Sequence, residues 1–275
     1  HSHKDYQRTA DWLLSQTQHR PKVAIICGSG LGMLADTLQC QDSFKYSDIP
    51  GFPQSTGKLW SLKLPGFMQN WLVWCSASPP QVTFPVRVFK LLGVETLIVT
   101  NAAGAIAESY HCGDVMIIRD HINFPGLAGL NPLIGPNDDK FGPRFPPMSG
   151  VYDKDLQKLA FDICKSMGVS QFVQEGVYCM VGGPNFESVA EAKLLYKLGV
   201  DAVGMSTAPE VLVASHCGMR VFGLSLITNK VVKSYEGSEP TNHEDVLAVS
   251  KMRSEMLQKL ISGIIIRMDI NNNKA

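Results

Sequence analysis

Polar residues interrupt apolar runs at four separated points of this chain: Asn101-Ala-Ala-Gly104, Gly182-Gly-Pro-Asn-Phe-Glu-Ser188, Val203-Gly-Met-Ser-Thr207 and Ser225-Leu-Ile-Thr-Asn-Lys230. The runs before them are rich in Val, Ile and Leu, the composition of strands buried on both faces of a parallel sheet. Polar groups just past such strands lie where open α/β sheets bind ligands. Four such ends predict one composite site for a small molecule.

The chemistry divides in two. Gly28-Ser-Gly-Leu-Gly32 follows a short apolar strand, but Met33 stands where a dinucleotide fingerprint needs its last glycine, and no convincing Asp or Glu follows a second strand about twenty residues on. What remains is anion binding: the Ser29 hydroxyl and backbone N–H groups at a helix start, with a plain tight turn as the competing reading. Ala102, a small residue after a buried strand, lets a ligand approach the backbone. Ser206 precedes a helix N-terminus. These three corners predict a phosphate site. Glu187 and Asn229 form a second set, because a carboxylate accepts the N–H groups of a 6-oxopurine edge while a carboxamide both donates and accepts, addressing N7 and O6. Taken singly, Glu187 reads as a helix-start residue and Asn229 as a turn former. Phe186 and Met205 supply apolar walls for a planar base. His243, at the start of the last helix, reads locally as a cap or surface residue.

Composition narrows the class. Acidic and basic residues balance at 25 each, with no basic stripe, so neither a nucleic acid nor a membrane surface is the expected partner. The seven cysteines are scattered and form no CxxC pair, which predicts reduced core thiols and a cytoplasmic protein. No run of about 18 apolar residues marks a membrane span.

The elements that must carry these residues alternate. Helical spacing covers Asp5 to Thr17. Strands are expected at Lys22–Cys27, Thr96–Thr100, Val115–Ile118, Val177–Val181, Ala202–Met205 and Val221–Ile227. Ser188-Val-Ala-Glu191 and Thr207-Ala-Pro-Glu210 both read as capping boxes, and the last helix runs from about Asn242 to Met268. Gly135 to Ser149 is a long loop. The pattern predicts the α/β class: a single three-layer αβα domain over residues 1–275, its mixed twisted sheet flanked by helices. Residues 57–81 stand apart. They contain no acidic residue and three of the four tryptophans, Trp60, Trp71 and Trp74. A buried hairpin and a non-native insert are the two readings of that stretch.

The quoted motifs, together with Val23–Gly32, Val82–Gly104, Asp120–Gly126 and Gly135–Pro146, resemble the trimeric, animal-type purine nucleoside phosphorylases over essentially the whole chain except 57–81. The resemblance implies a nucleoside phosphorylase-like fold and phosphorolysis of 6-oxopurine ribonucleosides and deoxyribonucleosides to free base and (deoxy)ribose 1-phosphate. Inorganic phosphate is then the co-substrate, with no metal or organic cofactor. It places Ser29, Ala102 and Ser206 on phosphate, Glu187 and Asn229 on the purine as the catalytic pair, Phe186 and Met205 on the base and sugar faces, and Tyr178 and His243 on the ribose side. Phe145 reaches a neighbouring subunit's site in a homotrimer. The family's phosphate arginine, two histidines and a sugar-contacting tyrosine belong to the stretch that 57–81 replaces. A catalytically poor purine-binding relative with an incomplete phosphate site is therefore the alternative.

Overall fold

The computed structural model describes residues 1–28, 31–32, 42–52, 61–64, 71–75, 82–236 and 243–272. Its strands are β1 (Val23–Cys27), β2 (Asp42–Lys45), β3 (Ser61–Leu64), β4 (Trp71–Cys75), β5 (Thr96–Ala105), β6 (Val115–Asn123), β7 (Val173–Met180), β8 (Ala202–Gly204) and β9 (Arg220–Lys230). Its helices are α1 (His3–Gln16), α2 (Phe84–Leu91), α3 (Phe124–Leu127), α4 (Lys154–Ser166), α5 (Val189–Lys197), α6 (Ala208–His216) and α7 (His243–Asn272).

Strand β1 explains the layering. All five of its residues are buried, and the side-chain period of two sends them to opposite faces. Ala24 and Ile26 pack in one core with Leu13 of α1 and Phe89 of α2, whereas Val23, Ile25 and Cys27 join a second core with Ile163 of α4 and Ile264 of α7. Helices thus cover both faces of a mixed sheet, the expected arrangement.

The sheet order is β2-β3-β4-β1-β5-β8-β7-β6-β9, and β9 also pairs with β5. Five strands therefore close into a ring, β5-β8-β7-β6-β9, to which β1 to β4 attach as an open wing. Strand β5 is the branch point. On one flank β9 runs parallel to it from Thr96↔Arg220 to Ala105↔Lys230, with a bulge at Ala103/Gly104. On the other flank β1 pairs with Thr96 to Val99, and β8 then pairs antiparallel with Gly104 and Ala105. Among the described residues, Thr100 to Ala103 have no ladder partner on that second flank. A topological gap of this kind at strand ends is where ligands enter α/β sheets.

Within 57–81, β3 and β4 are antiparallel neighbours and β4 lies parallel to β1 from Val23↔Trp71 to Cys27↔Cys75. The backbone of these pieces continues the sheet, and the rest of the stretch, Trp60 included, lies outside the described residues. Strand β5 runs five residues beyond its expected end, because the Asn101-Ala-Ala-Gly104 segment keeps pairing with β9 instead of leaving the sheet.

One expected cap forms and one does not. The Ser188 N–H donates to Glu191 Oε2 at 2.7 Å and the Glu191 N–H to Ser188 Oγ at 3.3 Å, a complete capping box. Thr207 makes no side-chain cap on α6, and Glu210 is buried. The reason is backbone geometry: Thr207 has φ 84°, and its hydroxyl is taken by a partner outside the helix.

Candidate active site

The gap beside β5 is filled from both ends. On one side the turn after β1 passes so close that a Cβ on Gly28 would lie 2.7 Å from Asn101 Cα and 2.7 Å from Thr100 O. Only glycine permits this approach. The Thr100 hydroxyl donates to Ile26 O at 3.0 Å, pinning the two strand ends together. Ser29, the next residue, lies outside the described residues. On the other side β8 runs antiparallel to β5, so the chain past Gly204 travels back beside Ala102 and Asn101. Residues Ser206 and Thr207 arrive there at the N-terminus of α6.

A buried hydrogen-bond set fixes that arrival. Asn101 is 1 % exposed, and its Nδ2 donates to Thr207 Oγ1 at 2.9 Å, joining residues 106 apart in sequence. Thr207 Oγ1 and Ser206 Oγ are 3.2 Å apart. The Tyr178 hydroxyl donates to the Ser206 carbonyl at 3.1 Å and receives the Ser206 N–H at 3.4 Å. Tyr178, expected on the ribose side, is thus wholly buried and turned to the Ser206 backbone. Gly204 makes room for it: a Cβ there would meet the Tyr178 hydroxyl at 2.5 Å. Beside this set Glu210 is buried with Oε2 unpartnered, and burial lifts its carboxyl to about 7.

Ala102 is the one partly exposed residue of β5, whose other nine are buried. It therefore borders open space at the gap, flanked by Ser206 on the α6 side. These are two of the three residues expected to hold an anion, and the helix N-terminus beside Ser206 adds a favourable dipole.

Of the residues expected to bind the base, Asn229 and Met205 lie at these strand ends. Asn229 pairs in register with Gly104, and a Cβ on Gly104 would meet Asn229 Nδ2 at 3.1 Å. The Thr228 hydroxyl lies 3.1 Å from Asn229 Oδ1 and 3.3 Å from Ala103 O, with its one proton to donate to either, beside the bulge. Met205 follows β8 and packs on Gly183, where a Cβ would lie 2.5 Å from its sulfur. Glu187 is half-buried. Burial raises its carboxyl above the usual range, and the Glu191 charge adds to the shift. Phe186 beside it is 46 % exposed. His243 opens α7, and its side chain lies outside the described residues. Phe145 is 85 % exposed on the long loop, under the Arg144 guanidinium at 5.4 Å, well apart in the chain from the other residues.

Sequence reading missed the roles of Asn101, the Thr207 hydroxyl and Glu210. The partners of the first two come from distant segments, so no local pattern announces them. Gly204, a glycine inside a strand, was the readable sign of close packing.

Comparison with known proteins identifies the family. The phosphorylase superfamily model matches residues 22–266. Purine nucleoside phosphorylase of Bos taurus is 52 % identical over 283 aligned residues, covering 99 % of this chain and 98 % of that protein. The Mus musculus purine nucleoside phosphorylase is 54 % identical, covering 95 % and 94 %. Schistosoma mansoni purine nucleoside phosphorylase, solved with inosine, superposes with TM-score 0.92 at 40 % identity over 96 % of each chain. The chain belongs to the phosphorylase superfamily, and within it to the purine nucleoside phosphorylases.

Proposed function

We propose that this protein phosphorolyses 6-oxopurine ribonucleosides and deoxyribonucleosides, releasing the free base and (deoxy)ribose 1-phosphate. The observation that carries the reading is the meeting of Ala102, Ser206 and Asn229 at the ends of β5, β8 and β9, beside the gap in the β5 ladder. It is supported by the relatives, among them a Schistosoma mansoni enzyme solved with inosine and a Schistosoma enzyme solved with guanosine.

Phosphate lies at Ala102 and Ser206, with Ser29 as the third donor. The purine lies between Glu187 and Asn229, with Phe186 and Met205 as its walls and His243 toward the ribose. During glycosidic cleavage, positive charge grows on the sugar and negative charge on the departing purine. A hydrogen bond from Asn229 to N7 strengthens as that nitrogen gains charge, which lowers the barrier by more than it tightens ground-state binding. Phosphate held beside the anomeric carbon acts as nucleophile and stabilises the sugar cation. No metal or organic cofactor enters this scheme. The continuous sheet supports one domain over 1–275, and the exposed Phe145 with Ile134 and Leu130 supports a homotrimer in which this loop meets a neighbour. No described helix is long and apolar enough to cross a membrane. The buried thiols of Cys164, Cys179 and Cys217 fit a cytoplasmic setting.

A second reading rests on one observation: no arginine occurs between Arg20 and Arg87. Neutral donors compensate poorly for a bidentate guanidinium around a dianion. On this reading the chain binds purine but turns over poorly. Inosine kinetics across a phosphate titration, beside calorimetry with hypoxanthine, separate the two. Phosphate-saturable release of hypoxanthine establishes the phosphorylase, and hypoxanthine binding without such turnover establishes the purine-binding relative.

A further inference from the structure

We propose that Asn101, acting through Thr207, and Tyr178 are positioning residues that aim the Ser206 hydroxyl and the first N–H groups of α6 at phosphate. The inference rests on the reading of Ser206 as a phosphate ligand, and it names what holds that ligand in place. Thr207 is the only non-glycine among the described residues with a positive φ, at 84°. A β-branched residue there is strained and persists only when its surroundings over-determine it.

The surroundings are visible. Asn101 is anchored in β5 by the ladder to β9, where it pairs with Ser225. Its Nδ2 holds Thr207 Oγ1 at 2.9 Å, while its Oδ1 is buried without a hydrogen-bond partner. An amide that leaves one atom unsatisfied in order to hold Thr207 is a costly group to keep for stability alone. The Tyr178 hydroxyl grips Ser206 from the opposite side through both its carbonyl and its N–H. Neither residue needs to touch substrate. Together they fix the peptide on which Ser206 is carried, so its hydroxyl faces the gap beside Ala102 with little freedom to reorient. Preorganised donors of this kind serve an anion better than mobile ones.

The test measures inorganic phosphate binding by calorimetry with hypoxanthine saturating, for wild type, Ser206→Ala, Asn101→Ala, Thr207→Gly, Thr207→Ser, Tyr178→Phe and the Asn101→Ala/Ser206→Ala double variant. Asn101→Ala, Thr207→Gly and Tyr178→Phe are each expected to weaken phosphate about five- to tenfold, with hypoxanthine affinity unchanged. Thr207→Ser retains the hydroxyl and is expected to keep phosphate affinity within twofold of wild type. Thr207→Gly tolerates φ 84° without a side chain, so its loss reports the missing hydroxyl and not backbone strain. In the Ser206→Ala background, Asn101→Ala is expected to add less than twofold, because its route to phosphate is already gone. If wild type binds no phosphate, or Ser206→Ala leaves binding intact, the phosphate reading of Ser206 falls and the inference falls with it. If Ser206→Ala weakens phosphate while Asn101→Ala, Thr207→Gly and Tyr178→Phe do not, or if the effects of Asn101→Ala and Ser206→Ala add in full, only the positioning role is overturned.

Discussion

Gly204→Ala tests the packing that seats the phosphate corner. Gly204 is not at positive φ, so its backbone conformation costs alanine nothing. The added methyl would nevertheless lie 2.5 Å from the Tyr178 hydroxyl, 3.2 Å from its Cε2 and 3.3 Å from Ala102 O. Tyr178 is fully buried and cannot swing into solvent. Overpacking of this kind costs about 1–3 kcal/mol, and displacing the hydroxyl from Ser206 adds about 1 kcal/mol. Alanine recovers roughly 0.4–1 kcal/mol by restricting the unfolded chain. The net loss expected is about 1–3 kcal/mol, a fall of about 2–12 °C in Tm for a chain of this size. Urea unfolding followed by tryptophan fluorescence measures it directly. The informative control is Tyr178→Phe, which deletes the clashing oxygen and leaves the ring. In that background Gly204→Ala is expected to cost less than about 1 kcal/mol, since the nearest contact relaxes to 3.2 Å. An equal cost in both backgrounds, or no cost in the wild type, would refute the fit between Gly204 and Tyr178.

Glu210→Gln is expected to flatten the pH dependence of stability. Below about pH 4.5 the carboxyl is protonated in both states; as pH rises the unfolded chain ionises first, while the folded protein keeps its proton to about 7. Wild-type stability relative to the variant therefore falls by about 3 kcal/mol across that window and levels off above it; a flat difference curve from urea titrations would show Glu210 to be solvated. Ser188→Ala removes the capping box of α5 and is expected to cost about 1 kcal/mol, with faster amide exchange in its first turn; unchanged exchange there would count against the cap. Gly104→Ala drives a methyl to 2.6 Å from Val231 Cγ2 and 3.1 Å from Asn229 Nδ2, so hypoxanthine affinity by calorimetry is expected to drop about tenfold. Affinity at the wild-type level would remove Asn229 from the base site.

The legible parts of this fold are those whose cause is local. Ser188 and Glu191 are three residues apart, and their cap forms as the sequence indicates. The core of β1 is a short apolar run bounded by glycine, and it is a strand. Thr207 and Glu210 show the same spacing and fail, because Asn101, 106 residues away, claims the threonine hydroxyl and the helix start is bent to suit it. Likewise Asn101-Ala-Ala-Gly104 reads as the end of a strand. It remains within β5 because β9 and β8 supply partners that only tertiary structure reveals. The candidate site follows the same division. Residue types and strand ends were readable at Ala102, Ser206, Glu187 and Asn229, whereas the buried supports behind them were not.

The closed ring of strands also bears on how this chain avoids sticking to copies of itself. An unpaired sheet edge is a template for another chain, and closure gives every strand from β5 to β9 a neighbour on each side. Among the described residues, the remaining edge is β2, which pairs only with β3. It is four residues long, begins with Asp42 and ends with Lys45, and its outward positions are Ser43 and Lys45. Asp42 is further engaged by the Thr17 hydroxyl at 2.6 Å, and Trp12 of α1 lies edge-on to Phe44 at 5.8 Å. A short, charged strand whose apolar residue is already covered offers a foreign strand little to extend, so this open end of the sheet is guarded by its own side chains.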